Sequence, residues 1–149
     1  MIKTSIFGGG CFWCTEAIFK KINGVVSISP GYIGGHVLNP TYEQICTGKT
    51  GHAEVVRLTF DEKLITYEKI LDLFFKMHDP TQKDMQYPDV GTQYRSEIFY
   101  ETDQQKQEAS KILNEFNKKF DGKIQTNISK IKNYCKAEEY HQKYIEKNK

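Results

Sequence analysis

Apolar and polar positions along the chain recur with different periods, and the changes of period mark its elements. Residues 2–7 (Ile2-Lys-Thr-Ser-Ile-Phe7) read as a short strand closed by Gly8-Gly9-Gly10. Residues 12–22 read as a helix that stops at Asn23-Gly24, since glycine readily supplies the left-handed exit of a helix. Val25 to Ile33 carries Val, Ile and Tyr and predicts a strand in spite of Pro30. In Glu54-Val-Val-Arg-Leu-Thr-Phe60, alternation puts Val56, Leu58 and Phe60 on one face. Thr66 suits the N-cap of a helix with Tyr67, Ile70, Leu71 and Phe74 on its apolar stripe, ended by His78-Asp79-Pro80. Residues 95–100 predict a strand. Asp103 is expected to cap a helix with Ala109, Ile112, Leu113, Phe116 and Phe120 inward and Gly122 after it. A strand at 124–131 and a helix at 137–147 complete the reading.

The order β-α-β-β-α-β followed by α-β-α predicts an α+β fold. Its first six elements match the ferredoxin-like split βαβ plan, a two-layer sandwich with helices on one side of an antiparallel or mixed sheet. The strand and helices that follow are additions at the C-terminal end. Two long stretches, 34–53 and 79–94, fit no period and are rich in Gly, Tyr, Asp and His. Aperiodic loops of that length in a compact domain are usually functional, so chemistry is expected there. No repeat, low-complexity tract or Pro/Ser-rich linker interrupts the chain, so residues 1–149 are read as one domain.

Composition narrows the function. Lys+Arg 21 against Asp+Glu 19 leaves a net charge of +2, which argues against a polycationic nucleic-acid binder. Only Arg57 and Arg95 are arginines, and phosphate or base-edge recognition favours forked guanidiniums, so no nucleic-acid partner is expected. No run approaches a membrane span, and Met1 to Phe7 is too short and broken for a secretory signal, so no membrane partner and a cytoplasmic location are expected. Four cysteines (Cys11, Cys14, Cys46, Cys135) in a reducing compartment point to catalysis or metal binding before structural disulfides.

Four constellations carry candidate chemistry. In Gly8-Gly-Gly-Cys-Phe-Trp-Cys14 a strand meets a helix, and a thiol at a helix N-terminus is expected to be stabilised as thiolate. The glycines let backbone approach a bound group closely. Cys11 and Cys14 stand at helical i,i+3 spacing, within reach of a disulfide. Cys46 and His52 could complete a zinc set with them, but no second ligand pair has suitable spacing, and no metal is expected. The second constellation runs from Asn39 to Glu54. Glu54 opens a strand that runs into apolar residues, where desolvation would favour the neutral acid and suit a proton donor. Read alone, Glu54 also fits a solvated surface residue, and Tyr42 a core one. The third, Tyr87-Pro-Asp-Val-Gly-Thr-Gln-Tyr-Arg-Ser96, clusters Asp89, Tyr94 and Arg95. The fourth, Ala137-Glu-Glu-Tyr-His-Gln-Lys-Tyr144, suits an amphipathic helix in which His141 is a packing group.

These motifs resemble those of the A-class peptide methionine sulfoxide reductases. In order stand Gly10-Cys11-Phe12-Trp13 with Glu16, then Pro40-Thr-Tyr42 with Thr50-Gly-His-Ala-Glu54. Asp89-Val-Gly-Thr-Gln-Tyr-Arg-Ser96 and Ala137-Glu-Glu-Tyr-His-Gln142 follow, so the likeness spans nearly the whole chain. The resemblance implies reduction of methionine S-sulfoxide, free or in oxidised proteins, as repair of oxidative damage. It makes Cys11 the nucleophile, Glu54 the proton donor, and Tyr42 and Tyr94 the hydroxyls that bind the sulfoxide oxygen. It also implies that Phe12 and Trp13 form the methyl pocket and that Asp89 orients substrate or loop. Thioredoxin, or dithiothreitol in vitro, would reduce the enzyme, with no bound cofactor and a monomer as the default state. Many members carry recycling cysteines in a Gly-rich tail; this chain ends at Lys149 without one and has Cys14 where a small residue is common. Cys14 and Cys135 are therefore the candidates to resolve the sulfenic acid, and Cys46 is read as structural.

Two other readings fit part of the pattern. Cys11-Phe-Trp-Cys14 also suits a thioredoxin-like dithiol oxidoreductase, which would need a cis-proline opposite, with Pro30 and Pro88 the loose candidates. A zinc-stapled binding module is the non-enzymatic alternative.

Overall fold

Phe7, Val56, Leu58 and Phe60 are buried on one face of a central sheet, and the helices close over that face. The computed structural model describes residues 2–87, 89–132 and 134–138. Its strands are β1 (Ile2–Gly8), β2 (Val25–Ile33), β3 (Ala53–Asp61), β4 (Met85–Gln86), β5 (Asp89–Val90), β6 (Glu97–Tyr100), β7 (Asn127–Lys130) and β8 (Cys135–Lys136). The helices are α1 (Phe12–Lys20), α2 (Tyr42–Cys46), α3 (Tyr67–Met77) and α4 (Asp103–Lys119).

The main sheet has six strands in the order β7-β6-β1-β3-β2-β8. Within it, β1 runs antiparallel to β3 and β6, and β2 antiparallel to β3. That inner set, with α1 and α3 as crossovers, is the split βαβ plan expected from the element order. β7 joins β6 in parallel and β8 joins β2 antiparallel, so the fold is α+β with a mixed sheet. Beneath the helices, Phe7 stacks on Phe74 at 5.0 Å and on Phe19 at 5.9 Å, while Phe75 meets Phe116 of α4 at 5.1 Å. Truncating one such buried ring costs ~3–5 kcal/mol, so this layer dominates stability.

The opposite face buries a smaller cluster, Ile6, Ile33, Ala53, Val55 and Phe99, covered by Ile131 and Tyr134. Those two residues belong to a strap between β7 and β8, which lie at opposite edges of the sheet. Six flat strands would separate the edges by ~24 Å at ~4.8 Å per strand, whereas five residue steps from Lys130 to Cys135 reach at most ~18 Å. The sheet is therefore curled, and the strap bridges it: Ile131 N–H donates to Tyr100 O at 3.0 Å, and Gly34 N–H to Lys132 O at 3.1 Å.

Several boundaries differ from the sequence expectation for local reasons. α1 ends at Lys20, because Ile22 N–H turns back to Phe19 O before Gly24 takes φ +103°. The cap of α4 is Thr102, whose Oγ1 accepts from Gln105 N–H at 3.2 Å; Asp103 is the first helical residue, where its charge favours the helix dipole. β6 starts at Glu97 and β7 at Asn127, later than expected. The two aperiodic stretches contain short ordered pieces: α2 behind a Thr41/Gln44 capping box, the β4–β5 hairpin, and a 3₁₀ turn at Thr92–Tyr94. The helix expected over 137–147, with His141, lies outside the described residues except for Ala137 and Glu138, which are not helical. Among the described residues no helix is long and apolar enough to cross a membrane.

Candidate active site

β1 delivers the chain to the sheet's end, and Gly10 turns it into α1 with φ +96°. A β-carbon at Gly10 would sit 3.0 Å from Gln86 Cβ, so only glycine admits both this backbone and the β4–β5 hairpin packed on it. Cys11 is the N-cap residue of α1, half-buried, with no side-chain capping hydrogen bond. Glu54, near the start of β3, is 1% exposed, and its Oε1 accepts from Phe12 N–H at 3.3 Å. The other oxygen, Oε2, is buried without a hydrogen-bond partner.

Burial holds Glu54 far above its ordinary 4.5, at about 8; the Asp89 carboxylate adds to this and the Phe12 N–H opposes it. The expected neutral acid is therefore what the fold produces. The expected low-pKa thiol is not. Burial and then the charge of Glu54 push Cys11 up to about 12, against the helix-terminal amides of Trp13 and Cys14. Desolvation outweighs the helix dipole here because a buried thiolate forfeits water's solvation, while the dipole offers only partial charges. Cys11 and Glu54 compete for negative charge, so a proton held on Glu54 is the condition under which the thiol ionises most easily.

Two phenols complete the polar side. Tyr94, on the 3₁₀ turn, is raised to about 12 by burial and then by Glu54, Cys46, Asp89 and Cys11. Tyr42, at the start of α2, is raised by burial, then by Glu54 and by a hydrogen bond with Cys46. Both are firm O–H donors across ordinary pH. The apolar side is an aromatic wall: Phe12 lies 6.2 Å from Trp13, 5.7 Å from Tyr32 and 6.3 Å from Tyr42, and Trp13 lies 5.9 Å from Tyr42.

Three residues that the sequence does not single out support this arrangement. Glu138 accepts from the Tyr32 hydroxyl and from Tyr42 N–H, each at 2.9 Å, and so fixes Tyr42 against the wall. His78 lies under Gly9, its Nδ1 at 2.6 Å from Phe74 O and its Nε2 at 2.7 Å from Ser96 Oγ; burial lowers it to about 4, so the ring is neutral. Gln86 brackets Asp79 and secures the hairpin that carries Asp89. Glu138 stood in a quoted motif, and its acidity beside an aromatic run was the only signal available.

The remaining thiols are distributed unevenly. Cys14 is exposed on the first turn of α1, near enough to Cys11 to raise it electrostatically. Cys135 pairs with Tyr32 across β2–β8, and Tyr32 pairs with Glu54 across β2–β3, so the three occupy one cross-strand row on one face. Cys46, read from sequence as structural, is exposed and bonded to Tyr42 at the site's rim. His52 has one ring nitrogen 2.7 Å from Val37 O and the other accepting from Gly35 N–H at 3.1 Å, so it has no lone pair to give a metal. Among the described residues no group of three or more His, Cys, Asp or Glu could hold a metal ion.

Comparison with known proteins gives the family. Residues 3–149 match the family model described as peptide methionine sulfoxide reductase. Peptide methionine sulfoxide reductase MsrA of Pelagibacter ubique is 51% identical over 146 residues, 98% of this chain and 99% of that protein. The reduced form of Mxr1 from Saccharomyces cerevisiae superposes with a TM-score of 0.95 at 39% identity, covering 99% of this chain and 86% of that one. Mxr1 in complex with Trx2 gives a TM-score of 0.70 at 29% identity, over 96% and 84% of the two chains.

Proposed function

The chain belongs to the peptide methionine sulfoxide reductase family, and from that premise we propose how its own residues carry out thioredoxin-dependent reduction of methionine S-sulfoxide, with repair of oxidised proteins as the role. The observation that carries the reading is Glu54: a buried carboxyl, held up to about 8, with Oε2 lacking any partner beside Cys11. A sulfoxide oxygen leaves poorly unless protonated, and a neutral acid with an unused oxygen supplies that proton.

In this reading the methyl group packs on Phe12 and Trp13, and Tyr42 and Tyr94 donate to the sulfoxide oxygen. Asp89 orients the loop and adds to the burial that keeps Glu54 protonated. Cys11 attacks the sulfur as Glu54 protonates the oxygen, and the oxygen moves to Cys11. Thiol plus sulfoxide becomes sulfenic acid plus methionine, with Cys11 oxidised by two electrons and methionine reduced by two. An oxygen misplaced by the wrong epimer leaves buried donors unpaired, at ~1–3 kcal/mol each, which gives a stereochemical preference. Cys14 attacks the sulfenic acid first, being one helical turn away; water leaves and a disulfide forms. Cys135, on the row through Tyr32, is the second candidate for that step. A thioredoxin-type dithiol reduces the disulfide, in keeping with the complex between the relative Mxr1 and Trx2. The enzyme works as a single catalytic domain, a monomer in the cytoplasm with no bound cofactor. Glu54 and the tyrosines have no task in the dithiol-exchange alternative, which is set aside.

The test supplies S and R methionine sulfoxide separately, with dithiothreitol, to the natural protein and to Cys11→Ser. Methionine from the S epimer alone, and only with Cys11 present, is the expected result. No methionine from either epimer would return dithiol exchange to the front.

A further inference from the structure

Arg95 has its side chain turned inward at 14% exposure, away from the charged surface where most basic residues of this chain lie. Its Nε donates to Glu97 Oε1 at 2.6 Å, and Glu97 itself is buried, its second oxygen accepting from the Ser129 hydroxyl. Two more donors of the guanidinium go to backbone carbonyls. Nη1 donates to Thr92 O at 2.9 Å and Nη2 to Gly51 O at 3.0 Å. Thr92 opens the 3₁₀ turn that ends in Tyr94, and Gly51 lies three residues before Glu54. Gly34 leaves room for the fork: a β-carbon there would sit 3.2 Å from Nη2.

We propose that Arg95 is a positioning residue for the reductase reaction, one planar cation that locks the Tyr94 turn to the entry of the Glu54 strand so that oxygen-binding hydroxyl and proton donor keep a fixed separation. It touches neither sulfur nor oxygen of the substrate and acts only through those two carbonyls. The proposal rests on the reductase reading above. A lysine cannot reproduce it, because a single ammonium cannot reach a carboxylate and two divergent carbonyls in one plane. The buried Glu97 explains why the cation sits so deep: it neutralises the charge that the bridging task brings into the fold.

Two variants and the natural protein test this. Arg95→Lys keeps the charge and removes the fork; Arg95→Met with Glu97→Gln removes the ion pair together and leaves no orphaned charge. Each is measured for Tm, for kcat and KM with S-methionine sulfoxide, and for the pH dependence of kcat. Both variants are expected to unfold cooperatively above the assay temperature and to keep KM within about twofold, with kcat reduced about tenfold or more, as misplaced reacting groups require. The alkaline limb of the profile should move to lower pH, because a loosened turn admits water to Glu54. The groups facing that carboxyl are Cys11 at the N-cap of α1, Tyr32 from β2, Tyr42 from α2, Asp89 from β5 and Tyr94 itself.

A wild-type kcat with an unmoved alkaline limb in either folded variant would overturn the proposal. So would two variants with no folded state to assay, which would make Arg95 a residue of the fold alone. Absence of methionine from the natural protein would instead overturn the reductase reading.

Discussion

Replacing Glu54 by Gln keeps the shape of the side chain and removes both its proton and its charge, so it separates what the carboxyl does for catalysis from what it costs the fold. In the unfolded chain Glu54 ionises near 4.5; in the folded chain burial holds it at about 8. Below pH 4.5 the carboxyl is protonated in both states and adds no pH dependence. Between 4.5 and about 8 the unfolded state releases the proton and the folded state keeps it, so stability falls as pH rises; above about 8 the loss is complete. At ~1.36 kcal/mol per pH unit the full span is roughly 5 kcal/mol, an upper bound that water entry and proton sharing with Cys11 reduce to about 2–3. The Glu54→Gln variant escapes this loss. Its Tm should exceed that of the natural protein by several degrees at about pH 9, at ~2–4 °C per kcal/mol, and the difference should shrink toward about pH 5. His78, lowered to about 4, loses stability in the opposite direction below pH 6.5, but it is common to both proteins and cancels in the difference. The same variant should lose about 10²–10⁴ in methionine formation, the usual contribution of a positioned acid. Thermal melts across pH, with activity on the same samples, form the assay. A Tm difference that stays flat from about pH 5 to 9 would refute the buried neutral acid, and with it the proton donor.

Two further outcomes follow from the geometry. Cys14→Ser should stop thioredoxin-dependent turnover but spare a single-turnover burst of methionine, while Cys135→Ser should keep steady turnover; the reverse pattern, read by methionine release with and without thioredoxin, would make Cys135 the resolving thiol. Gly31→Ala places a β-carbon 2.7 Å from the Tyr134 ring and 2.8 Å from Cys135 O, so it should undock β8 and lower stability by about 1–3 kcal/mol, read by denaturant titration.

The strands and helices of the inner fold were legible because their side chains answer to local period. Val25–Ile33 and the Thr66 cap are found where the pattern puts them, the latter with Oγ1 accepting from Lys69 N–H at 3.1 Å. What escapes the sequence is set either by fine local geometry or by contacts distant in sequence. Asp103 and Thr102 are equally good caps by composition, and only the observed turn distinguishes them. The ionisation of Cys11 is not legible for a physical reason: its position at a helix start is visible in sequence, but the depth of burial and the approach of Glu54, more than forty residues away, are not. The neutrality of Glu54 is legible because its own strand supplies the apolar floor. Arg95 reads in the sequence as one polar group among several, since its bond to Gly51 O joins residues 44 apart.

Under the proposed function the strap over the back of the sheet has a further consequence, because the oxidised chains that reach the enzyme would include ones that have lost part of their fold. Such chains offer loose backbone amides and carbonyls that add readily to any open strand edge, and an enzyme that meets them continually risks being trapped as a template for aggregation. Here each edge of the sheet is taken by a fragment of the protein's own chain, four residues of β7 on one side and two of β8 on the other. Both are too short to nucleate a run of foreign pairing, and the curl imposed by the brief link between them turns the edges away from a flat approach. The link that seals the second apolar cluster with Ile131 and Tyr134 is thus also what holds the two short edge strands where they oppose foreign pairing.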